Sequence, residues 1–200
     1  MKPEFPEDNG NLAVTDSPAN AAADAPSNFL LSFWRLPGIL ALLVFVLDYL
    51  SKAWVLRHWP QPNIIYREVI PGFFSLVHFQ NTGAAWGMFA QHTWALGIIS
   101  FLALLLIVVF FPFLTERRPT LAILYGILAG GIAGNLYDRL FRGFVVDFLF
   151  FYYRDYQHSW PAFNIADSAI TCSVIAMIVY SLFFAKGSKK PGTDSPAAEK

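Results

Sequence analysis

Apolar residues run almost unbroken through four stretches of this chain, Leu36 to Leu56, Thr93 to Leu114, Pro119 to Tyr137 and Pro161 to Ala185. The hydrocarbon core of a bilayer takes roughly 20 apolar residues in helical form, so each stretch is predicted to be one membrane-spanning helix. Between the first two, the segment His58 to His92 changes period. Phe73-Phe74-Ser75-Leu76-Val77-His78-Phe79 is aromatic and β-branched with partial alternation, which predicts strands of a small sheet on the outer membrane surface. The expected fold is a mainly α membrane protein with four transmembrane helices and a small β-sheet and loop region outside.

Composition agrees, with 56% hydrophobic residues, 14% charged residues and a mean hydropathy of +0.45. Buried helices of a large soluble core are excluded, because 200 residues cannot wrap four such helices in a polar shell. Residues 1–34 and 187–200 are expected to be disordered cytoplasmic tails flanking a four-helix domain at 35–186. The first 28 residues lack a basic region followed by an apolar stretch and are not expected to be a cleavable signal peptide. With both termini inside, eight Lys and Arg residues fall on the inner side and five on the outer, and Arg35, Arg117, Arg118 and Lys186 lie close to span ends. That bias sets the orientation.

In this orientation Asp48, Asp138, Asp147 and Asp167 all converge on the outer leaflet boundary, while Thr93 to Leu114 carries no charge. Intramembrane carboxylates are expensive and mark functional sites. Asp48 and Lys52 at i, i+4 read as an intrahelical pair, and Asp138 has Arg139, Arg142 and Lys52 as candidate partners. A carboxylate supplied with cations stays ionised and is a poor proton acceptor, so an architectural role is expected for Asp138 and an intrahelical pair for Asp48 and Lys52, with room for both to border the site and orient substrate. Asp147 is flanked by Val145, Val146, Phe148, Leu149 and Phe150, and Asp167 shares its helix face with Asn164 and Thr171. Burial and mutual repulsion would leave these two to share a proton, one member activating water and the other polarising a carbonyl. Asp167 is expected about six residues, roughly 9 Å, inside the fourth span. Gly126, Gly130 and Gly134 form a small-xxx-small stripe suited to close helix packing, expected within the bundle rather than against a second copy.

The ordered set Asp48-x-x-x-Lys52, Asn81-x-Gly83-Ala84-Ala85-x-Gly87, Gly134-Asn135-x-x-Asp138-Arg139, Val145-Val146-Asp147-Phe148 and Phe163-Asn164-x-Ala166-Asp167-Ser168 resembles the lipoprotein signal peptidases, also called signal peptidase II. The resemblance covers roughly Arg35 to Ala185. It implies an aspartyl endopeptidase of the bacterial inner membrane, with its site on the periplasmic side. Such an enzyme cuts diacylglyceryl-modified prolipoproteins before the lipidated cysteine and is inhibited by globomycin-type cyclic peptides. Carried over, Asp147 and Asp167 are the catalytic dyad. Asn81, Gly83, Asn135, Arg139 and Asn164 contact substrate or hold the dyad, and Asp48, Lys52 and Asp138 support the site. Trp86 stands where the family commonly has Phe. No cofactor or metal is implied, membrane lipids are the surroundings, and a monomer is expected.

A cleft between the third and fourth spans, covered by the outer loop, would admit water while acyl chains remain in lipid. A proton-coupled transporter is the alternative from another class, but the inner halves of the spans offer almost no polar residue beyond Ser100 and Ser181, and no inverted repeat is visible. A non-cleaving lipoprotein scaffold would be favoured by loss of either aspartate, and both are present. Gly-x-Ser-x-Gly and His-Glu-x-x-His are missing, and Cys172 is expected to be a small buried residue toward the inner leaflet. Zero net charge and the lack of a phosphate loop argue against nucleic acid.

Overall fold

The computed structural model describes residues 25–83, 92–154, 156 and 158–184, with side chains from residue 33 onward. The chain divides into Met1–Ser32, whose described backbone from Ala25 is helical, and Phe33–Lys200. The elements run α1 (Ala25–His58), β1 (Ile64–Ile70), β2 (Phe74–Asn81), α2 (Thr93–Leu114), α3 (Pro119–Phe141), β3 (Val145–Tyr153), β4 (His158–Ser159) and α4 (Ile165–Phe184). Among the described residues, four helices are long and apolar enough to cross a membrane, the first counted from Phe33. Their outward faces carry Leu42, Ile98, Phe101, Val108, Ile175 and Leu182, all exposed. An apolar exterior of this extent belongs against lipid.

Helix ends depart from the hydropathy pattern for local reasons. Helix α1 already exists at Ala25, so residues 25–34 are helical rather than a disordered tail, and it runs through Pro37. Helix α3 continues past Tyr137 to Phe141 because its last turn carries an Asp138–Arg142 ion pair; Gly143, at φ 77°, ends it and donates its N–H to the Asp138 carbonyl at 3.1 Å. Helix α4 starts at Ile165 and not at Pro161. Phe163 is held against β3 instead, exchanging both backbone hydrogen bonds with Leu149 at 2.9 Å.

The glycine stripe of α3 packs inside the chain. A Cβ built on Gly126 would stand 2.5 Å from the Pro37 carbonyl oxygen, one on Gly130 2.5 Å from that of Ala41, and one on Gly134 2.5 Å from Asp48 Oδ2. On the other side, a Cβ on Gly131 would meet the Ala166 carbonyl at 2.7 Å. Helix α3 is thus a thin wedge between α1 and α4.

The sheet is antiparallel in the order β1-β2-β3-β4. Strand β2 takes in the predicted segment apart from Phe73, which lies in the preceding turn, and its central partner β3 is the element the sequence reading left as a connection. Leu76 pairs with Leu149 but Phe79 with Asp147, so β2 carries one extra residue at Val77-His78 opposite Phe148. This β-bulge lies three to four residues before Asn81.

Candidate active site

Four carboxylates meet where the C-terminal ends of α1 and α3 and the N-terminal end of α4 reach β3, and their partners sort them into two kinds. Lys52, fully buried, lies 2.7 Å from Asp48 Oδ2 and 3.1 Å from Asp138 Oδ2. Asp138 also pairs with Arg142 and accepts the Val146 N–H at 3.1 Å. Asp48 accepts the Ala166 N–H at 2.9 Å, in the first turn of α4. Two carboxylates and two cations therefore cancel in a dry interior and tie α1, α3, β3 and α4 together. Of the cationic partners considered for Asp138, Arg139 is not used.

Asp147 and Asp167 receive amides instead. Asn81 Nδ2 donates to Asp147 Oδ2 at 3.0 Å and Asn164 Nδ2 to Asp147 Oδ1 at 2.8 Å. Asn135 Nδ2 donates to Asp167 Oδ1 at 2.6 Å, while Asn135 Oδ1 accepts from Lys52 Nζ at 2.9 Å. Asn164 also caps α4: its Oδ1 accepts the Asp167 N–H at 2.9 Å, and its own N–H donates to Asp167 Oδ2 at 3.2 Å. This reciprocal cap is built on Asn-x-x-Asp spacing. One residue therefore fixes Asp167 through the backbone and Asp147 through its amide. Asp167 lies in the first turn of α4, shallower than the hydropathy edge suggested, because the helix begins later.

Asp147 is 2% exposed. Burial first, and the charge of Asp167 second, push its carboxyl up to about 7, against the opposing pull of the Asn81 and Asn164 amides and of Lys52. Arg139 donates to the Asn135 carbonyl at 3.5 Å and feels the charges of Asp167 and Asp147. Gly83 closes a turn by donating its N–H to Asn81 Oδ1 at 2.9 Å. Ala84, Ala85, Trp86 and Gly87 lie outside the described residues.

A cavity of about 510 Å³ opens at this cluster, with Asn135, Arg139 and Asp167 on its wall beside Asn81 and Trp160. Ser100 of α2 contributes too, so the cleft lies among three helices rather than between α3 and α4 alone, and Ser100 belongs to the site and not to the inner half of a span. Cys172 is exposed and lines the same cavity, correcting its expected burial near the inner leaflet. Asp147 is joined to this wall through the Asn81 amide.

Residues 40–183 match the family model described as Signal peptidase (SPase) II. The lipoprotein signal peptidase of Syntrophomonas wolfei is 39% identical over 150 residues, covering 74% of this chain and 94% of that protein. That of Xanthomonas euvesicatoria is 39% identical over 159 residues, 78% and 90% of the two chains. A bacterial membrane enzyme solved by the in meso method at 2.3 Å superposes with a TM-score of 0.66 at 29% identity, covering 77% of this chain and 92% of that one. Fold, charge network and sequence similarity converge, and the chain belongs to the signal peptidase II family.

Proposed function

We propose that Asp147 and Asp167 are the catalytic dyad of this aspartic-type endopeptidase, which removes the signal peptide from prolipoproteins as a multi-pass protein of the bacterial inner membrane. The observation that carries the assignment is the difference in partners: among the described residues the hydrogen bonds to these two carboxylates come from amides and both involve Asn164, whereas Asp48 and Asp138 each form an ion pair with a cation. A cation-paired carboxylate is held ionised. A buried pair served by neutral donors retains one proton between them.

With one proton on the dyad, the ionised member takes a proton from water as its oxygen attacks the scissile carbonyl, and the protonated member donates to the developing oxyanion. Collapse of the tetrahedral species returns a proton to the leaving amine and leaves a carboxyl on the signal peptide. Asn135 and Asn164 hold the carboxylates during this exchange. Arg139, on the cavity wall, offers its guanidinium to a substrate carbonyl. The substrate is the diacylglyceryl-modified form, cut before the lipidated cysteine, with its acyl chains left in lipid and its carbonyl drawn into the cavity. Both termini are cytoplasmic, the site faces the periplasm, the enzyme acts as a monomer, and globomycin-type peptides compete for the cavity.

The test is cleavage of a lipidated prolipoprotein and its unmodified form by detergent-purified wild type, Asp147→Asn and Asp167→Asn. Cleavage of the lipidated form alone, lost in both folded variants, is expected. Activity surviving in either variant would overturn the dyad.

A further inference from the structure

Asn81 reaches Asp147 only because of the bulge that precedes it. Before the bulge, Ser75 pairs with Phe150, so odd-numbered β2 residues share a face with even-numbered β3 residues. After it, Phe79 pairs with Asp147 and Asn81 with Val145, so odd now matches odd. Side chains alternate faces with period two, and a one-residue slip carries every side chain to the opposite side. Without the extra residue Asn81 would share a face with Val146 and turn away from Asp147. The bulge also frees the Phe148 N–H from β2, and it donates to the Phe163 carbonyl at 3.1 Å.

The bulge is fastened from one side. His78, 1% exposed, donates its Nδ1–H to the Trp59 carbonyl at 2.7 Å, just past the end of α1. Its own carbonyl accepts the Asn63 N–H at 2.6 Å, and Asn63 Oδ1 accepts the Gln80 N–H at 3.3 Å. Among the described residues His78 Nε2 is buried with no hydrogen-bond partner. A carbonyl can only accept, so Nδ1 carries the proton of this bond, and the ring is a single-point clamp on the bulge. A buried polar atom left unmatched is destabilising, so what the ring contributes here is its Nδ1 hydrogen bond.

We propose that His78 is a positioning residue: by tying the β2 bulge to the Trp59 carbonyl, it sets the register that aims the Asn81 amide at Asp147. It touches neither substrate nor dyad. The inference rests on Asp147 being catalytic, and the experiment separates the two.

His78→Met removes the donor at similar volume, and His78→Asn places an amide N–H where Nδ1 stood. Both are compared with wild type, Asn81→Ala and the His78→Met/Asn81→Ala double variant, on a diacylglyceryl-modified prolipoprotein, with Asp147→Asn as control. Expected are a kcat loss of about tenfold in His78→Met with KM within about twofold, recovery to within about threefold in His78→Asn, and no further loss beyond about twofold when His78→Met is added to Asn81→Ala. Wild-type kcat in folded His78→Met, or losses that multiply in the double variant, would overturn the proposal. If His78→Met does not fold, His78→Asn is set against His78→Gln, whose amide is one bond too far out; equal kcat in those two would overturn it equally. An active Asp147→Asn would instead refute the dyad and leave the role of His78 in the register to be read from the Asn81 coupling alone.

Discussion

Replacing Lys52 with Met tests whether the charge cluster is a closed, neutral unit. The ammonium has two carboxylate partners within 3.1 Å and a third acceptor in Asn135, all in a dry interior. Met preserves the length of the chain but not the charge, leaving Asp48 and Asp138 with only Arg142 to balance them. Asp138 keeps that arginine and the Val146 N–H; Asp48 keeps only the Ala166 N–H. Breaking a buried ion pair by removing one partner costs about 3–5 kcal/mol. At roughly 2–4 °C per kcal/mol for a domain of this size, Tm should fall by roughly 10 °C.

The charge count supplies a sharper outcome than the loss itself. Adding Asp48→Asn to Lys52→Met returns the cluster to one carboxylate and one cation, and Asn can still accept the Ala166 N–H. The double variant should therefore be more stable than Lys52→Met alone, recovering about half the lost Tm, as measured by far-UV circular dichroism in detergent. A Lys52→Met variant within about 2 °C of wild type, or no recovery on adding Asp48→Asn, would refute the closed-unit reasoning.

Four further outcomes follow from the same contacts. Because Asp147 is raised to about 7 by burial and by Asp167, the free enzyme loses the shared proton above that pH; kcat/KM should fall about tenfold per unit above pH 7, and a profile flat to pH 9 would contradict this. The linked stability has the opposite sign from an ordinary salt-bridged acid: the folded state binds more protons, so the contribution is fullest below the unfolded value near 4 and is lost as pH rises through about 7, which thermal unfolding of wild type and Asp147→Asn across that window would reveal. Asn164→Ala removes both the α4 cap and a buried amide on Asp147, and should lower stability by about 2–3 kcal/mol while reducing kcat; unchanged kcat would mean that Asn164 does not hold the dyad. Gly134→Ala forces a methyl to 2.5 Å from Asp48 Oδ2 and should destabilise by about 1–3 kcal/mol, whereas a Tm equal to wild type would mean α1 and α3 can separate freely.

The spans were legible because lipid demands a long apolar run and little else; Thr93–Leu114 has the same limits in the hydropathy pattern and in the helix. Pro119 likewise begins α3 as expected, but the other ends were not legible, since caps and hydrogen bonds decide them. Pro161 looks apolar enough to begin a span, but Phe163 is committed to Leu149 and the helix waits for Asn164. Strand β3 was missed although Val145 to Tyr153 is as β-branched and aromatic as the predicted strand; a continuous apolar run without alternation does not distinguish a buried strand from a short helix. The acids of the site were conspicuous in apolar surroundings. His78 was not, because what gives it a place is a register shift, and register is a property of two strands together.

The same residue type thus performs two tasks within one cluster, and the neighbours decide which. Asp48 and Asp138 lie on the helices that carry Lys52 and Arg142 at i, i+4, so their partners arrive with the helix and are present whenever it forms. Asp147 and Asp167 depend on donors from other elements: β2 supplies Asn81, α3 supplies Asn135, and the α4 cap supplies Asn164. Locally paired charges can be buried early and hold α1 against α3. The amide-clamped pair is completed only when sheet and bundle come together. The neutral quartet lets α3 and α4 approach through Gly131 and Ala166 without an unbalanced charge between them, and that approach brings the Asn135 amide within 2.6 Å of Asp167. The uncharged clamp then leaves the Asp147–Asp167 pair free to keep the proton that the proposed dyad mechanism requires.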